Sequence, residues 1–163
     1  PMVQAAFMME VFRRCKAMGL HTCVDTAGRL GARLTDEDLM QIDLNLLDIK
    51  SGDPAVYEKV TGHPLQPTLD YARRLSELRR PTWVRFVLAP GLTDSVDNVE
   101  RLADICAGLQ SLERVEILRF HQMGKEKWHR LGIPYPLEDT EPPEPELTER
   151  VRQQFRSRGL TVY

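Results

Sequence analysis

Five side chains capable of ionic or acid–base chemistry fall at or near the ends of four apolar stretches: Asp25, Asp48, Lys50, Arg85 and His121. Leu20-His21-Thr22-Cys23-Val24 runs into Asp25, then Thr26, Ala27 and Gly28. Leu44-Asn45-Leu46-Leu47 runs into Asp48, Ile49 and Lys50. Trp83-Val84-Arg85-Phe86-Val87-Leu88 carries Arg85, and Val115 to Phe120 runs into His121. If the four stretches are parallel strands, these groups share the carboxyl-end edge, where ligands bind in parallel α/β folds. Two carboxylates close together repel unless something positive joins them. A hard cation held by Asp25, Thr26, Asp48 and a backbone carbonyl meets that need with oxygen ligands. Lys50 can also neutralise Asp48, and each aspartate can instead cap its own turn. Arg85, inside an apolar strand, needs an anion, either a ligand carboxylate or Asp25 or Asp48. His121 is placed to hydrogen-bond a ligand or to act as acid or base, or serves a structural role.

The elements that must position these groups follow from periodicity. Residues 2–18 read as a helix with Val3, Phe7, Met8, Val11, Phe12 and Cys15 as its core stripe. A strand over 20–24 follows, then a short helix capped by Thr35 with Asp38 three residues on. A second strand covers 44–49, and Asp53-Pro54 opens the next helix. Residues 68–78 form another helix, 82–88 the third strand, and a long helix runs to residue 109. The fourth strand spans 115–120 and 121–127 is a polar loop. Residues 131–145, rich in proline and acid, are irregular. A last helix reaches residue 158, and 160–163 form a terminal strand. The near-continuous apolar runs suit parallel strands covered on both faces. Alternating β and α elements imply an α/β fold with a parallel sheet and helical crossovers, either an open sheet or a partial barrel. One domain spans 1–163.

Bulk properties exclude several classes. A net charge of −2 gives no global case for nucleic acid or an anionic membrane surface. No apolar run approaches the ~20 residues of a membrane span. Cys15, Cys23 and Cys106 are odd in number and widely spaced, so neither a disulfide framework nor a CxxC metal site is present. They read as reduced, buried thiols of a cytoplasmic protein. Trp83 reads as core packing and Trp128 as loop packing. No GxGxxG, Walker loop, HExxH or GxSxG occurs.

Several segments, taken in order, resemble the pyruvate formate-lyase-activating enzymes, which are radical S-adenosylmethionine proteins. Gly19-Leu20-His21-Thr22-Cys23-Val24-Asp25-Thr26-Ala27-Gly28 resembles that family's H-T-C-L-D-T-N/S-G strand. Leu46-Leu47-Asp48-Ile49-Lys50 resembles M-L-D-L-K, and Tyr57-Glu58-Lys59-Val60-Thr61-Gly62 resembles H-K-x-x-T-G. Trp83 to Gly91 resembles W-I-R-Y-V-V-V-P-G. Glu116 to His121, with Gly124 to Trp128, resembles E-L-L-P-Y-H-x-x-G-x-x-K-W.

The resemblance implies the C-terminal part of a radical S-adenosylmethionine (β/α)6 partial barrel. Asp48, Ile49 and Lys50 would contact S-adenosylmethionine, and His121 its nucleoside end. Arg85 and Val87 would line the same pocket. Asp25, Thr26 and Asp48, with the Leu46 carbonyl, would hold a monovalent cation beside the methionine carboxylate. The implied activity is reductive cleavage of S-adenosylmethionine and hydrogen abstraction from a backbone glycine of a partner glycyl radical enzyme such as pyruvate formate-lyase. A [4Fe-4S] cluster supplies the electron, received from reduced flavodoxin or ferredoxin.

The family's CxxxCxxC motif and its G-G-E strand are absent from the chain, so no catalytic residue and no cluster ligand is identified within it. Pro1 stands in mid-pattern and reads as a cut rather than a natural beginning, with both motifs expected before it. The 163 residues alone are therefore expected to be inactive. Ala27, Leu46 and Arg119 replace the family's Asn or Ser, Met and Pro. The alternatives are an activase of a different glycyl radical enzyme, or a non-catalytic module that binds a partner or a nucleoside.

Overall fold

The computed structural model describes residues 1–163. Four parallel strands lie side by side in chain order: β1 (Cys23–Thr26), β2 (Leu44–Asp48), β3 (Thr82–Leu88) and β4 (Leu112–Arg119). Parallel neighbours need crossovers, and helices supply them. The crossovers are α2 (Asp36–Met40), α3 (Pro54–Thr61), α4 (Gln66–Glu77) and α5 (Val96–Ala107), while α1 (Ala5–Ala17) precedes β1 and α6 (Lys125–Arg130) and α7 (Pro145–Arg156) follow β4. Strand order that never reverses is the order of a barrel arc. A doubly wound sheet would turn back at a switch point.

Local chemistry starts the helices where the sequence indicates. At α2 the Thr35 hydroxyl accepts from the Asp38 amide (3.1 Å), and the Asp38 carboxylate accepts from the Thr35 amide (3.0 Å). At α3 the Asp53 carboxylate accepts from the amides of Ala55 and Val56, with Pro54 in the first turn. Gly62 ends α3 in the left-handed region (φ 70°). The core lies between the sheet and its helices. Leu47, Val84, Phe86, Leu88 and Val115 are fully buried against Leu75 of α4, Leu102 of α5 and Phe155 of α7. The Phe86 and Phe155 rings meet at 6.4 Å between centroids.

Several expectations need correction. β1 starts at Cys23 and includes Asp25 and Thr26, because pairing with Leu46 and Leu47 extends it past Val24. Residues 20–22 are not strand; Thr22 is tied instead to Asp43 and Gln41. β4 begins at Leu112, three residues before the expected start. Residues 160–163 make only an isolated parallel bridge, Val162 to Val115. The segment after His121 is not a loop throughout, since a 3-10 turn at Gln122–Gly124 leads into α6. The α1 stripe is split. Met8 and Met9 are buried, whereas Val3, Phe7 and Val11, at steps of four, form an outward row, Val3 and Phe7 being 73% and 69% exposed.

The strands are not covered on both faces. β3 alternates strictly between buried and half-exposed residues, and β2 does the same. One face is sealed by helices and the other is open.

Candidate functional site

The open face is built by register. Asp25 lies opposite Leu46, Leu46 opposite Trp83, and Trp83 opposite Arg114. One step on, Asp48 lies opposite Arg85 and Arg85 opposite Glu116, and beyond them Val87 faces Leu118. Adjacent parallel strands carry these side chains on one surface.

At its centre Arg85 joins the two carboxylates. Its Nη2 donates to Asp25 Oδ1 at 2.7 Å and its Nε to Asp48 Oδ1 at 3.0 Å. Lys50 Nζ donates to the other Asp48 oxygen at 2.8 Å. The result is a chain of alternating charge, Asp25–Arg85–Asp48–Lys50, across the ends of three strands. Burial acts to lower the Arg85 pKa, but Asp48 and then Asp25 outweigh it and hold the guanidinium above its ordinary value. Arg85 thus supplies the positive charge that the two aspartates require, and both carboxylates named in advance as its possible partners are engaged.

The remaining candidates divide. Val87 is half-buried on the same face as Arg85. Ile49 is fully buried, so only its backbone is available to a ligand, and its amide donates to the Arg85 carbonyl (3.2 Å). Leu46 stands between Asp25 and Trp83 in the register. Thr26 has the opposite strand parity to Asp25. Its hydroxyl accepts from the Gly28 amide (3.0 Å) and lies 3.5 Å from Met2 Sδ, so it serves the turn rather than standing with the carboxylates. His121, exposed and extended just beyond β4, accepts from the Met123 amide through Nδ1 (3.4 Å).

Sequence reading missed the far side of this face. Arg114 lies over the Trp83 ring, 3.3 Å from its centroid, and 5.0 Å from that of Tyr163, and pairs with Glu116 at 2.5 Å. Trp83 is therefore half-buried on the open face and not core. The signal was available as the two-residue period from Arg114 through Glu116 to Leu118.

The donor sets discriminate between cofactors. No group of three or more His, Cys, Asp or Glu side chains gathers as a metal site. Cys106 is fully buried in α5, where burial pushes its thiol up to about 12. Cys23 is exposed on the open face and Cys15 is half-buried on α1, so the expectation of three buried thiols holds for Cys106 alone. Burial, then the Asp25 carboxylate, raise the Cys23 pKa, and Arg85 partly offsets them. These dispersed thiols do not fit an iron–sulfur cluster. The mixed carboxylate and cationic set at the strand ends does fit a zwitterionic ligand.

No protein-family model matches the chain. A pyruvate formate-lyase-activating enzyme of Staphylococcus epidermidis is 41% identical over 96% of this chain and 63% of its own length. One from Staphylococcus aureus is 36% identical over 98% of this chain and 66% of its own length. The chain thus spans less than two thirds of either relative. Among solved structures, a domain of a pyruvate formate-lyase-activating enzyme from Bacteroides vulgatus superposes with TM-score 0.83 at 23% identity, covering 100% of this chain and 92% of that one. A radical SAM methyltransferase from Sphaerobacter thermophilus gives TM-score 0.66 at 20% identity, covering 90% of this chain and 41% of that one. By sequence similarity over nearly its whole length the chain is a homologue of the pyruvate formate-lyase-activating enzymes, and it shares its parallel sheet with solved radical S-adenosylmethionine enzymes.

Proposed function

We propose that the open sheet face is the S-adenosylmethionine-binding wall of a glycyl-radical-enzyme activase whose partner is pyruvate formate-lyase. The observation that carries this is the Asp25–Arg85–Asp48–Lys50 chain at the strand ends, in a chain similar to activating enzymes of that name. Asp48 would take the ligand's ammonium group, and Lys50 and Arg85 its carboxylate. Val87 and the Ile49 backbone would line the pocket, with His121 at the nucleoside end. Bound there and reduced by one electron from an iron–sulfur cluster that these residues do not hold, S-adenosylmethionine would supply the radical that takes hydrogen from a backbone glycine of the partner. The residues of this chain bind and orient it. They offer no cluster, so the chain alone should bind without turning over.

A monovalent cation held by Asp25, Asp48 and the Leu46 carbonyl would complete this site, the Thr26 hydroxyl being committed to the Gly28 amide instead. It would share the two carboxylates with Arg85 and leave the guanidinium freer to meet a ligand carboxylate. Titration calorimetry of S-adenosylmethionine tests the site. Asp48→Ala should weaken binding by about tenfold or more, the scale of a lost charge-assisted hydrogen bond. Unchanged affinity overturns the assignment, and indifference to monovalent cations rejects the cation site.

The dispersal of the cysteines favours a second reading, a module that binds partner or nucleoside without redox chemistry. The coding sequence upstream of Pro1 separates the two, since an in-frame CxxxCxxC supports the activase.

A further inference from the structure

Asn98, in the first turn of α5, is 1% exposed, and both atoms of its amide are engaged. Its Oδ1 accepts from Ser51 Oγ (2.6 Å), the Gly52 amide (2.8 Å) and the Asp53 amide (2.9 Å). Its Nδ2 donates to the Thr93 carbonyl (2.7 Å). The first three groups belong to the loop that leaves β2 directly after Asp48, Ile49 and Lys50. The fourth belongs to the turn that follows β3, where the Thr93 hydroxyl donates to the Val87 carbonyl (2.8 Å) and accepts from the Ala89 amide (2.9 Å). One buried side chain therefore fastens together the exits of two neighbouring strands.

The loop also packs closely on α5. A Cβ on Gly52 would lie 2.3 Å from the Leu102 amide nitrogen and 2.7 Å from the Asn98 carbonyl oxygen, both backbone atoms of α5. The loop thus rests directly on the helix. An asparagine suits the position because one oxygen must take three donors while one nitrogen gives to a carbonyl. Leucine would strand all of them in the interior. An aspartate keeps the three acceptances but sets an oxygen against the Thr93 carbonyl.

We infer that Asn98 is a positioning residue for the strand-end pocket, fixing Lys50 against Asp48 and both against the Val87 end of β3. The role in ligand binding rests on the reading given under Proposed function. In the intact chain, Asn98→Ala removes the fastening and Gly52→Ala lifts the loop by a separate route. Both should raise the dissociation constant for S-adenosylmethionine by about tenfold to a hundredfold, the scale of a small misplacement of positioned groups. Amide exchange at Gly52 and Asp53 should quicken in Asn98→Ala. Asn98→Asp, which still takes the three bonds from the loop but repels the Thr93 carbonyl, should bind more tightly than Asn98→Ala and less tightly than wild type, and should retain slow exchange at Gly52 and Asp53. Wild-type affinity in both alanine variants despite faster exchange would reduce Asn98 to a structural residue and overturn the inference. If the wild type itself fails to bind S-adenosylmethionine, the functional proposal falls separately. The Lys50 side-chain resonances then decide the positioning: a change in Asn98→Ala restored in Asn98→Asp supports it, and invariance overturns it.

Discussion

Arg85 is accommodated within a sheet because two carboxylates from neighbouring strands converge on it, at 2.7 and 3.0 Å. Removing it leaves Asp25 and Asp48 facing each other with only Lys50 as counter-charge. Arg85→Met should therefore lower unfolding stability by roughly 1–3 kcal/mol in denaturant titration, the range for hydrogen bonds to charged groups. A neutral or stabilising outcome would mean that the pair barely offsets its own desolvation. The same charges act on Cys23. Burial and then Asp25 raise its pKa, so Asp25→Asn should increase the thiolate fraction and speed alkylation at mildly alkaline pH. A rate that is unchanged or slower would remove Asp25 as a cause. At this scale the sequence was informative, since Asp25, Asp48, Lys50 and Arg85 could be singled out as groups ending or interrupting apolar runs. The identity of Arg85's partner was not readable, because strand register decides it.

Between elements, Asp43 joins α1, the residue that leads into β1 and the approach to β2. Its carboxylate takes Lys16 Nζ at 2.5 Å, the Thr22 amide at 2.8 Å and the Thr22 hydroxyl at 3.1 Å. The Lys16 bond, followed by that of the Thr22 amide, lowers its pKa from 3.8 to about 2. A carboxylate depressed on folding contributes stability that is fully present above its unfolded pKa and is lost as pH falls through the folded one. The wild type should therefore lose stability between about pH 4 and pH 2, and Asp43→Asn should flatten that part of the profile. An equally steep acid limb in the variant would assign the loss to other groups. Nothing in the local pattern marked Asp43, because its partners lie 21 and 27 residues away. The caps at Thr35 and Asp53 were legible because all their atoms lie within three residues. The α1 stripe was misjudged for a related reason. Periodicity identifies apolar rows, but only the tertiary fold decides which row meets the sheet.

For the whole molecule, the organising fact is a sheet with one sealed and one open face. The mainly apolar runs of β2 and β3 concealed it, because the half-exposed Leu46, Trp83 and Val87 are as apolar as the buried Leu47, Val84 and Phe86, and the polar Asn45 is itself buried. Parallel strands and helical crossovers were readable from the alternation of elements. The distinction between barrel arc and open sheet needed the strand order β1-β2-β3-β4. A barrel wall holds its stability outside, between strands and helices, and its ligand groups inside. Two adjacent residues of β3 test that division within one backbone. Phe86 is fully buried against Phe155, whereas Val87 is half-buried on the face of Arg85. Phe86→Ala should cost about 3–5 kcal/mol by deleting a packed ring and leaving a cavity. Val87→Ala should cost under about 1 kcal/mol, since its side chain lines a surface rather than filling an interior. On the proposed function, the effects on S-adenosylmethionine affinity should run in the opposite order at temperatures where both variants remain folded. Comparable stability losses at the two positions would show that the second face is packed as tightly as the first, and the open-wall description would then be wrong.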